Sequence, residues 1–455
     1  MAMADVQAKF LEGNLFRHIA VMSLTSSVGL MVLFLVDFVN IIFISWLKDP
    51  ELTAAAGYAG AILFFTTSFG IGMSIAASAL VSRAVGMRDM AQARTKATNA
   101  VIAGVVFGVS FTALVWANLS FLVGLLGATG RTLDQTVHYL SIVVPTLPLL
   151  MVGMIGGAIL RSHGDARRAM MATIYGGLAN AVLDPIMIFG FGLDLTGAAI
   201  ATVVARLVIA GTALLPVIWY HGGFDRPSLA SLAHDARPIA MIAFPAILTQ
   251  LATPVGQAYV THAVSGFGEA AVAGVAITGR LVPVAFGVIF ALSGAIGPII
   301  GQNYGARNMV RVRQAFIEGL KFTALFTLCV SALLYAIHVP LANLFHAEGL
   351  TREIIYLFCG PLSLLYFFNG VIFVANAVFN NLGQPFHSTW TNWGRHTIGT
   401  IPLVLLGASW AGASGVLIGQ ALGGAVFGMI AWWLALRVLG QTPPAAQARP
   451  APGAR

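Results

Sequence analysis

Charged side chains are scarce in this chain of 455 residues, because Asp, Glu, Lys and Arg together make up only 9% of it. Ordinary soluble domains carry about 25% of these residues. Hydrophobic residues make up 58% of the chain, which leaves too little polar surface to cover a soluble fold. The composition excludes an ordinary soluble protein and predicts an integral membrane protein.

Cysteine and lysine are also rare. The two cysteines, Cys329 and Cys359, each stand alone in an apolar stretch, so neither a disulfide framework nor a cysteine metal site is predicted. The four lysines include none in a Gly-x-x-x-x-Gly-Lys phosphate loop, which argues against ATP-driven transport. Gly-x-Gly-Asp and His-Glu-x-x-His sequences are absent as well. We therefore expect no enzymatic activity.

Long apolar runs fill the rest of the sequence, and each can cross the ~30 Å hydrocarbon core as a helix of about 20 residues. They are apolar on all sides, whereas the strands of a membrane barrel alternate between apolar and polar residues. The predicted fold is all-α, with twelve transmembrane helices at residues 16–47, 57–82, 97–124, 135–160, 168–191, 196–220, 238–265, 270–301, 314–342, 353–381, 387–408 and 411–437.

The positive charges indicate the orientation of these helices. Lys and Arg gather at both termini and in the even-numbered connections, while only Lys48, Arg131 and Arg352 lie in the connections on the other side. The positive-inside rule then places both termini in the cytoplasm. Although the net charge is +8, the cations are spread over short loops rather than gathered on one domain face. No nucleic-acid partner is predicted.

The chain contains an internal repeat. Val81–Arg94 and Ile300–Arg313 share glycines and arginines at an offset of 219 residues, and the connections around Gly164 and Gly383 match at the same offset. An even number of spans separates the copies, so two six-helix bundles of the same orientation are predicted, an architecture of transporters. The predicted parts are an N-terminus at 1–15, an amino-terminal lobe at 16–221, a cytoplasmic linker at 222–237, a carboxyl-terminal lobe at 238–438 and a disordered tail at 439–455.

Only two carboxylates lie deep within the predicted spans, Asp37 in the first and Asp184 in the fifth. An acid in hydrocarbon costs at least about 2.5 kcal/mol, so each is expected to face a cavity or a partner. Asn180, one turn from Asp184, and Thr202 in span six lie at a comparable depth. These oxygen ligands suit sodium, and the acids could instead exchange protons. A purely structural role in helix packing is the alternative.

Several motifs together resemble the multidrug and toxic compound extrusion (MATE) family: the paired connections, Asn180-Ala-Val-Leu-Asp184-Pro185, Gly197-Ala-Ala-Ile-Ala-Thr202 and Gly301-Gln-Asn-Tyr-Gly305. The resemblance covers nearly the whole chain. It implies a two-lobed multidrug efflux antiporter of the bacterial inner membrane. Such a protein exports small amphipathic, often cationic compounds in exchange for H⁺ or Na⁺, needs no other cofactor, and is expected to be a monomer in the bilayer.

The chain is most similar to the DNA-damage-inducible-F-like (DinF-like) branch of that family. The resemblance implies a cation site in the amino-terminal lobe, formed by Asp37, Asn180, Asp184 and Thr202. Another branch, the NorM-like one, has acidic ligands in spans seven and ten, where this chain has no Asp or Glu between Pro238 and Gly268 or between Ile354 and Phe386. Coupling is therefore expected to rest on the amino-terminal lobe alone.

Other polar residues within the spans are candidates for lining a substrate cavity or, equally, for satisfied packing. They are Tyr139, Gln250, Gln257, His262, Arg280, Asn369 and Asn376. Arg206 and Arg280 keep open a second hypothesis, a flippase for lipid-linked precursors of the same superfamily. Arg395 is expected to extend its charge towards the cytoplasmic surface.

Overall fold

The computed structural model describes residues 8–441, apart from the side chain of residue 41. Within that range, eleven helices are long and apolar enough to cross a membrane. In chain order, α1 to α11 are Leu15–Ser45, Pro50–Gly86, Met90–Ala117, Gly130–Ser162, Ala166–Gly190, Asp194–Tyr220, Leu229–Ser265, Glu269–Gly305, Met309–Leu344, Gly349–Asn381 and Phe386–Gln441. A short helix, Leu119–Leu125, precedes α4.

The twelfth predicted span is the second half of α11. Ala411 and Gly412 leave helical backbone angles, and Gly412 has φ 58°. The chain reverses there, because the backbone at Gly407 meets that at Gly415 and the backbone at Gly399 meets that at Gly423. The two arms of α11 therefore pack antiparallel, and the expected all-helical, multi-span fold is confirmed.

The repeat extends to the backbone. α2 and α8 begin and end 219 residues apart, as do α4 and α10. Asp89 and Asn308 occupy equivalent positions and cap α3 and α9, each accepting a hydrogen bond from a backbone N–H three residues on. Before them, Arg88 and Arg307 adopt left-handed φ values of 58° and 57°. Equivalent sequences thus form equivalent turns.

The two lobes meet tightly at the basic end of the bundle, the end at which residues 8–14 lie and which the charges predict to be cytoplasmic. A Cβ on Gly86 would lie 2.0 Å from the carbonyl oxygen of Gln302, and one on Gly305 would lie 2.0 Å from that of Arg83. These two contacts are reciprocal under the 219-residue offset. Only glycine lets α2 and α8 cross so closely, and the crossing closes this end of the molecule.

Residues 8–14 strengthen this closure. Phe10 is 1% exposed, and its N–H donates to Gln302 Oε1 at 3.0 Å while its carbonyl accepts from Asn303 and Arg311 at 3.1 Å. On the other lobe, Lys9 Nζ donates to the Gly164 carbonyl at 3.3 Å. The segment predicted only as a polar cytoplasmic N-terminus is therefore packed between the lobes.

Helices extend into two of the predicted connecting segments. The linker expected at 222–237 is non-helical only to residue 228, because α7 begins at Leu229. Asp235 explains the extra turns, since it is buried and accepts hydrogen bonds from Lys96 at 2.5 Å and Asn99 at 2.7 Å. The tail expected from 439 begins later, because α11 continues to Gln441. The rest of that tail lies outside the described residues.

Candidate functional site

Asp184 lies in the interior of the amino-terminal lobe near the end of the regular part of α5. The next residue, Pro185, has no backbone N–H to continue the helical ladder, and a π-helical turn follows at Ile186–Gly190. The carboxylate is 1% exposed. Neither of its oxygens has a hydrogen-bond partner among the described residues. A buried carboxylate is therefore left with its full capacity to accept protons or coordinate a cation.

The other predicted coupling residues lie on α1, α5 and α6. Asp37, on α1, is exposed and lies within electrostatic range of Asp184. Asn180 is 7% exposed and stands one helical turn before Asp184. Thr202, on α6, is half-buried, and its hydroxyl donates to the Ala198 carbonyl at 2.9 Å. Tyr139, 8% exposed, lies beside Thr202 and feels the charges of both acids.

Arg206 lies within electrostatic range of Tyr139. Its Nη1 donates to the carbonyl of Val143 at 2.8 Å and to the hydroxyl of Thr146 at 2.9 Å. The guanidinium is 7% exposed and ties α6 to the 3₁₀ turn within α4. It forms no ion pair with Asp37 or Asp184 within 4.0 Å among the described residues. The acids are therefore not neutralised by this arginine.

This arrangement can hold a small cation. Carboxylate, amide and hydroxyl oxygens are hard ligands that suit sodium, and a buried, unpaired acid also favours taking up a proton. Among residues 8–441, no group of three His, Cys, Asp or Glu side chains is placed to hold a metal ion. The chemistry that these residues offer is reversible binding of one small cation.

A second polar region lies between the lobes. It is a cavity of about 50 Å³ that includes Gln250 and Asn376 of the predicted substrate residues. Its walls come from both lobes in pairs related by the 219-residue offset: Ser74 with Ser293, Ile75 with Gly294, Ser78 with Gly297, Ala158 with Ala377, and Arg161 with Asn380. The cavity therefore lies on the pseudo-twofold axis of the molecule.

Comparison with known proteins identifies the family. The MatE family profile matches residues 26–186 and 245–395, which is more than half of the chain and includes both lobes. The chain belongs to the MatE family. It is thus a MATE transporter, a membrane protein that moves small molecules, rather than an enzyme.

Similar proteins extend this result. The chain is 29% identical over 423 residues to a protein described as the FAD transporter of Shewanella oneidensis, covering 92% of this chain and 93% of that one. It is 24% identical to the multidrug export protein MepA of Staphylococcus aureus, covering 84% and 85%. The Vibrio cholerae MATE transporter VcmN in its bent form superposes with a TM-score of 0.88 at 25% identity, covering 94% and 97%.

The remaining predicted cavity residues of this MATE protein are dispersed. Asn369 accepts a hydrogen bond from Arg395 inside the carboxyl-terminal lobe. Gln257 lines a separate cavity of about 220 Å³ and accepts from Gln420 at 3.3 Å. His262 and Arg280 are exposed and line neither cavity. The structure thus brings only Gln250 and Asn376 to the pseudo-twofold axis.

The expectation for Arg395 is wrong. Its side chain does not extend to the surface, because the residue is 8% exposed and its guanidinium donates to Asn369 and to His396 Nε2. The π-helical turn Arg395–Gly399 turns the side chain into the lobe. The hydrophobic periodicity of the sequence does not indicate that turn. In a regular α-helix, Arg395 would lie on a different face.

Sequence reasoning also missed Arg161, which was counted only among the cytoplasmic charges. It lines the cavity on the pseudo-twofold axis. One signal was available, because Arg161 and Asn380 are equivalent under the 219-residue offset and belong to matched connections. A charged residue opposite a neutral amide at the centre of a repeat marks a place where the two lobes differ in function.

Proposed function

We propose that this MATE protein is a secondary antiporter that exports amphipathic organic compounds in exchange for H⁺ or Na⁺. Asp37, Asn180, Asp184 and Thr202 form the coupling site, with Tyr139 beside it. The observation that carries the proposal is the state of Asp184, whose two oxygens are buried and have no hydrogen-bond partner among the described residues. An unpaired buried carboxylate is costly, and a bound cation or proton removes that cost.

The rest of the molecule suits exchange between the two sides of a membrane. The basic end is closed by the crossing of α2 and α8. Cation binding at Asp184 can favour one of two conformations, closed or open at the basic end, only if the site differs between them. α1 can produce such a difference, because it carries Asp37 and packs against α5 of its own lobe and α8 of the other. A relative movement of the lobes would therefore move Asp37. Coupling by the amino-terminal lobe is what the DinF-like resemblance implies.

The substrate class has support from relatives. MepA is described as a multidrug export protein, which favours export of varied compounds by this chain as well. With the positive-inside distribution of Lys and Arg, we place both termini in the cytoplasm of a bacterial cell and the protein in its inner membrane. A monomer contains both lobes and the whole coupling site, so no second copy is needed.

The test is transport in proteoliposomes under a proton gradient and a sodium gradient imposed separately, with ethidium as the cationic substrate. We expect one of the two gradients to drive ethidium transport. Asp184→Asn and Asp37→Asn should each lower that transport to the rate of protein-free liposomes, because the amide cannot be ionised to exchange a cation.

Asp134→Asn is the matched control, since Asp134 is an exposed acid of the same lobe outside the coupling site. It should keep the full rate. Transport at full rate by Asp37→Asn and Asp184→Asn, both correctly inserted, would show that coupling lies elsewhere. Transport that responds to neither gradient would contradict the antiporter itself.

A second candidate function is export of an anionic dinucleotide. It is favoured by the Shewanella oneidensis relative, described as an FAD transporter, which matches over 92% of this chain. The same proteoliposomes loaded with FAD distinguish the two candidates. Gradient-driven FAD movement at a rate above that of ethidium would make the dinucleotide the principal substrate.

A further inference from the structure

The cavity on the pseudo-twofold axis is large enough for a ligand group. A single buried water needs at least about 10–15 Å³ of such volume, and the cavity offers about 50 Å³. It therefore holds a few waters or one group of the size of a carboxylate or phosphate. At the basic end it is closed by Arg83 Nη2 donating to the Asn380 carbonyl at 2.9 Å and by Gln302 Nε2 donating to the Ser162 carbonyl at 2.7 Å.

The wall of this cavity is polar and carries charge of one sign only. Arg161 is the one charged residue in the lining, which contains no Asp or Glu. The other polar members carry hydroxyls and amides, which can donate hydrogen bonds, although Ser74, Thr249 and Asn381 already donate to helix carbonyls. They are Ser74, Ser78, Thr249, Gln250, Ser293, Asn376, Asn380 and Asn381. A cation would meet repulsion here. A group with negatively charged oxygens would meet a guanidinium and several donors.

The guanidinium of Arg161 has no partner. Within residues 8–441 it makes no hydrogen bond and no ion pair, whereas the buried arginines Arg206 and Arg395 are both hydrogen-bonded. Glycines keep the space around it open. A Cβ on Gly157 would lie 3.4 Å from Arg161 Nη1, and a Cβ on Gly294, across the lobe interface, would lie 3.9 Å from Nε.

Arg161 is the position at which the two walls of the cavity differ in charge. Ser74 and Ala158 have identical equivalents, Ser293 and Ala377, and two further pairs set a larger residue against glycine. Only the pair of Arg161 and Asn380 sets a charged residue against a neutral one. The repeat alone therefore does not account for the guanidinium at this position.

We propose that this cavity is a binding subsite for an anionic oxygen group, a carboxylate or phosphate, with Arg161 as its ion partner. The proposal rests on the transport function above and extends its substrate class to amphipathic compounds that carry such a group. The two charged sites then have separate tasks. The amino-terminal acids bind the coupling cation, and Arg161 binds the anionic part of the transported compound by paired hydrogen bonds.

Equilibrium dye binding to the purified full chain in detergent tests this subsite without any gradient. Fluorescein and rhodamine 123 share a ring system, but the first is anionic and the second cationic. We expect Arg161→Gln to weaken fluorescein binding at least tenfold and rhodamine 123 binding less than twofold. Arg161→Lys should stay within about threefold of the original fluorescein affinity, because it keeps the charge. Inorganic phosphate should compete with fluorescein in the original chain but not in Arg161→Gln.

Two further variants guard against a merely structural effect. Arg167→Gln removes an exposed arginine at the same end of the same lobe and should change neither affinity. Gly294→Leu keeps Arg161 but fills the space beside it, so it should weaken fluorescein binding as Arg161→Gln does. Equal fluorescein affinity in the original chain and both cavity variants would overturn the proposal, as would failure of the original chain to bind fluorescein at all.

An anionic lipid headgroup presents the same chemistry as a soluble anion. Repeating the titration in nanodiscs of phosphatidylcholine and of phosphatidylglycerol separates the two sources. Weaker fluorescein binding in phosphatidylglycerol, lost in Arg161→Gln, would identify a headgroup as the occupant, and equal binding in both lipids would identify a soluble compound. Because no gradient is used, failure of gradient-driven ethidium transport would reject the antiporter while leaving this binding result intact.

Discussion

The two lobes share a backbone plan but differ in the buried polar atoms that lack a partner among the described residues. In the amino-terminal lobe, these atoms include both carboxylate oxygens of Asp184, which accept hydrogen bonds. In the carboxyl-terminal lobe, they include Arg395 Nε and His396 Nδ1, and also Asn381 Oδ1 at the lobe interface. His396 Nε2 accepts from Arg395 at 2.6 Å, so Nδ1 carries the proton and is a donor. Within residues 8–441, the unpaired buried carboxylate is therefore a feature of the amino-terminal lobe.

The difference has a steric basis at one position. The residue 219 after Asp37 is Gly256, and a Cβ there would lie 2.1 Å from His396 Nδ1. The carboxyl-terminal lobe thus has an imidazole where the other lobe has room for an acid. A duplicated fold can lose a site in one copy when a neighbouring side chain fills its space. Substitutions at paired positions can show how far the two lobes remain equivalent.

Gly86→Ala and Gly305→Ala should destabilise the protein by similar amounts, about 3 kcal/mol each. The new methyl group meets a backbone carbonyl in both cases, and backbone cannot move aside as a side chain can. Thermal unfolding in detergent measures the loss. Labelling of a cysteine introduced at Ser162, which is 0% exposed, reports opening of the basic end.

The control for these variants is Gly57→Ala in the same helix. A Cβ at Gly57 meets nothing within 4 Å, and the equivalent position already carries Ala276. This change should be neutral or stabilise by up to about 1 kcal/mol. A large effect at Gly86 without one at Gly305 would mean that the crossing of α2 and α8 is not symmetric in solution.

Gly256→Ala should cost about 2 kcal/mol, because the methyl group displaces the His396 ring and disturbs its hydrogen bond with Arg395. Gly279→Ala, in open space within the same lobe, is the control. Thermal unfolding measures both. The ion dependence of transport should not change in either variant, since the proposed coupling site lies in the other lobe. A changed ion dependence in Gly256→Ala would show that the carboxyl-terminal lobe takes part in coupling.

Asn180→Ala should raise the cation concentration for half-maximal transport about tenfold, because removing one oxygen ligand costs about 1.4 kcal/mol of binding. Asn369 is the control, an amide of the other lobe that accepts from Arg395. Asn369→Ala should change that concentration less than twofold. Transport assayed over a range of sodium concentration or pH separates the two. Equal shifts in both variants would contradict coupling by one lobe.

Most of the fold was predictable because bilayer thickness and the 219-residue repeat determine it almost completely. The number of spans, their order and the parallel arrangement of the lobes all follow from apolar length and from the matched connections. The errors lie where local geometry departs from a regular helix. α7 begins before its apolar part, because Asp235 is paired with Lys96 rather than with water.

The candidate site was predictable in part. Asp37 and Asp184 stand out because acids are costly in a membrane, and their neighbours Asn180 and Thr202 follow from helical spacing and depth. Arg161 and Arg395 were misjudged for the same physical reason. A long cationic side chain near a helix end can reach water or turn inward, and only the tertiary packing of both lobes decides which.

The smallest expected effect concerns the loop before α5, where the lobes differ in charge. Burial raises the pKa of Asp165, but hydrogen bonds from His221 and Arg168 outweigh it and lower the pKa to about 2. The equivalent residue is the neutral Gln384. A carboxyl group whose pKa is lowered by folding stabilises the folded state at pH values above its unfolded pKa, which is near 3.8. This contribution is lost as the pH falls towards 2.

Asp165→Asn keeps the cap on α5 but should lower the free energy of unfolding by about 1 kcal/mol at neutral pH. Melting curves of both proteins should therefore converge between pH 4 and pH 2, and a constant difference across that range would assign the loss to packing instead of charge.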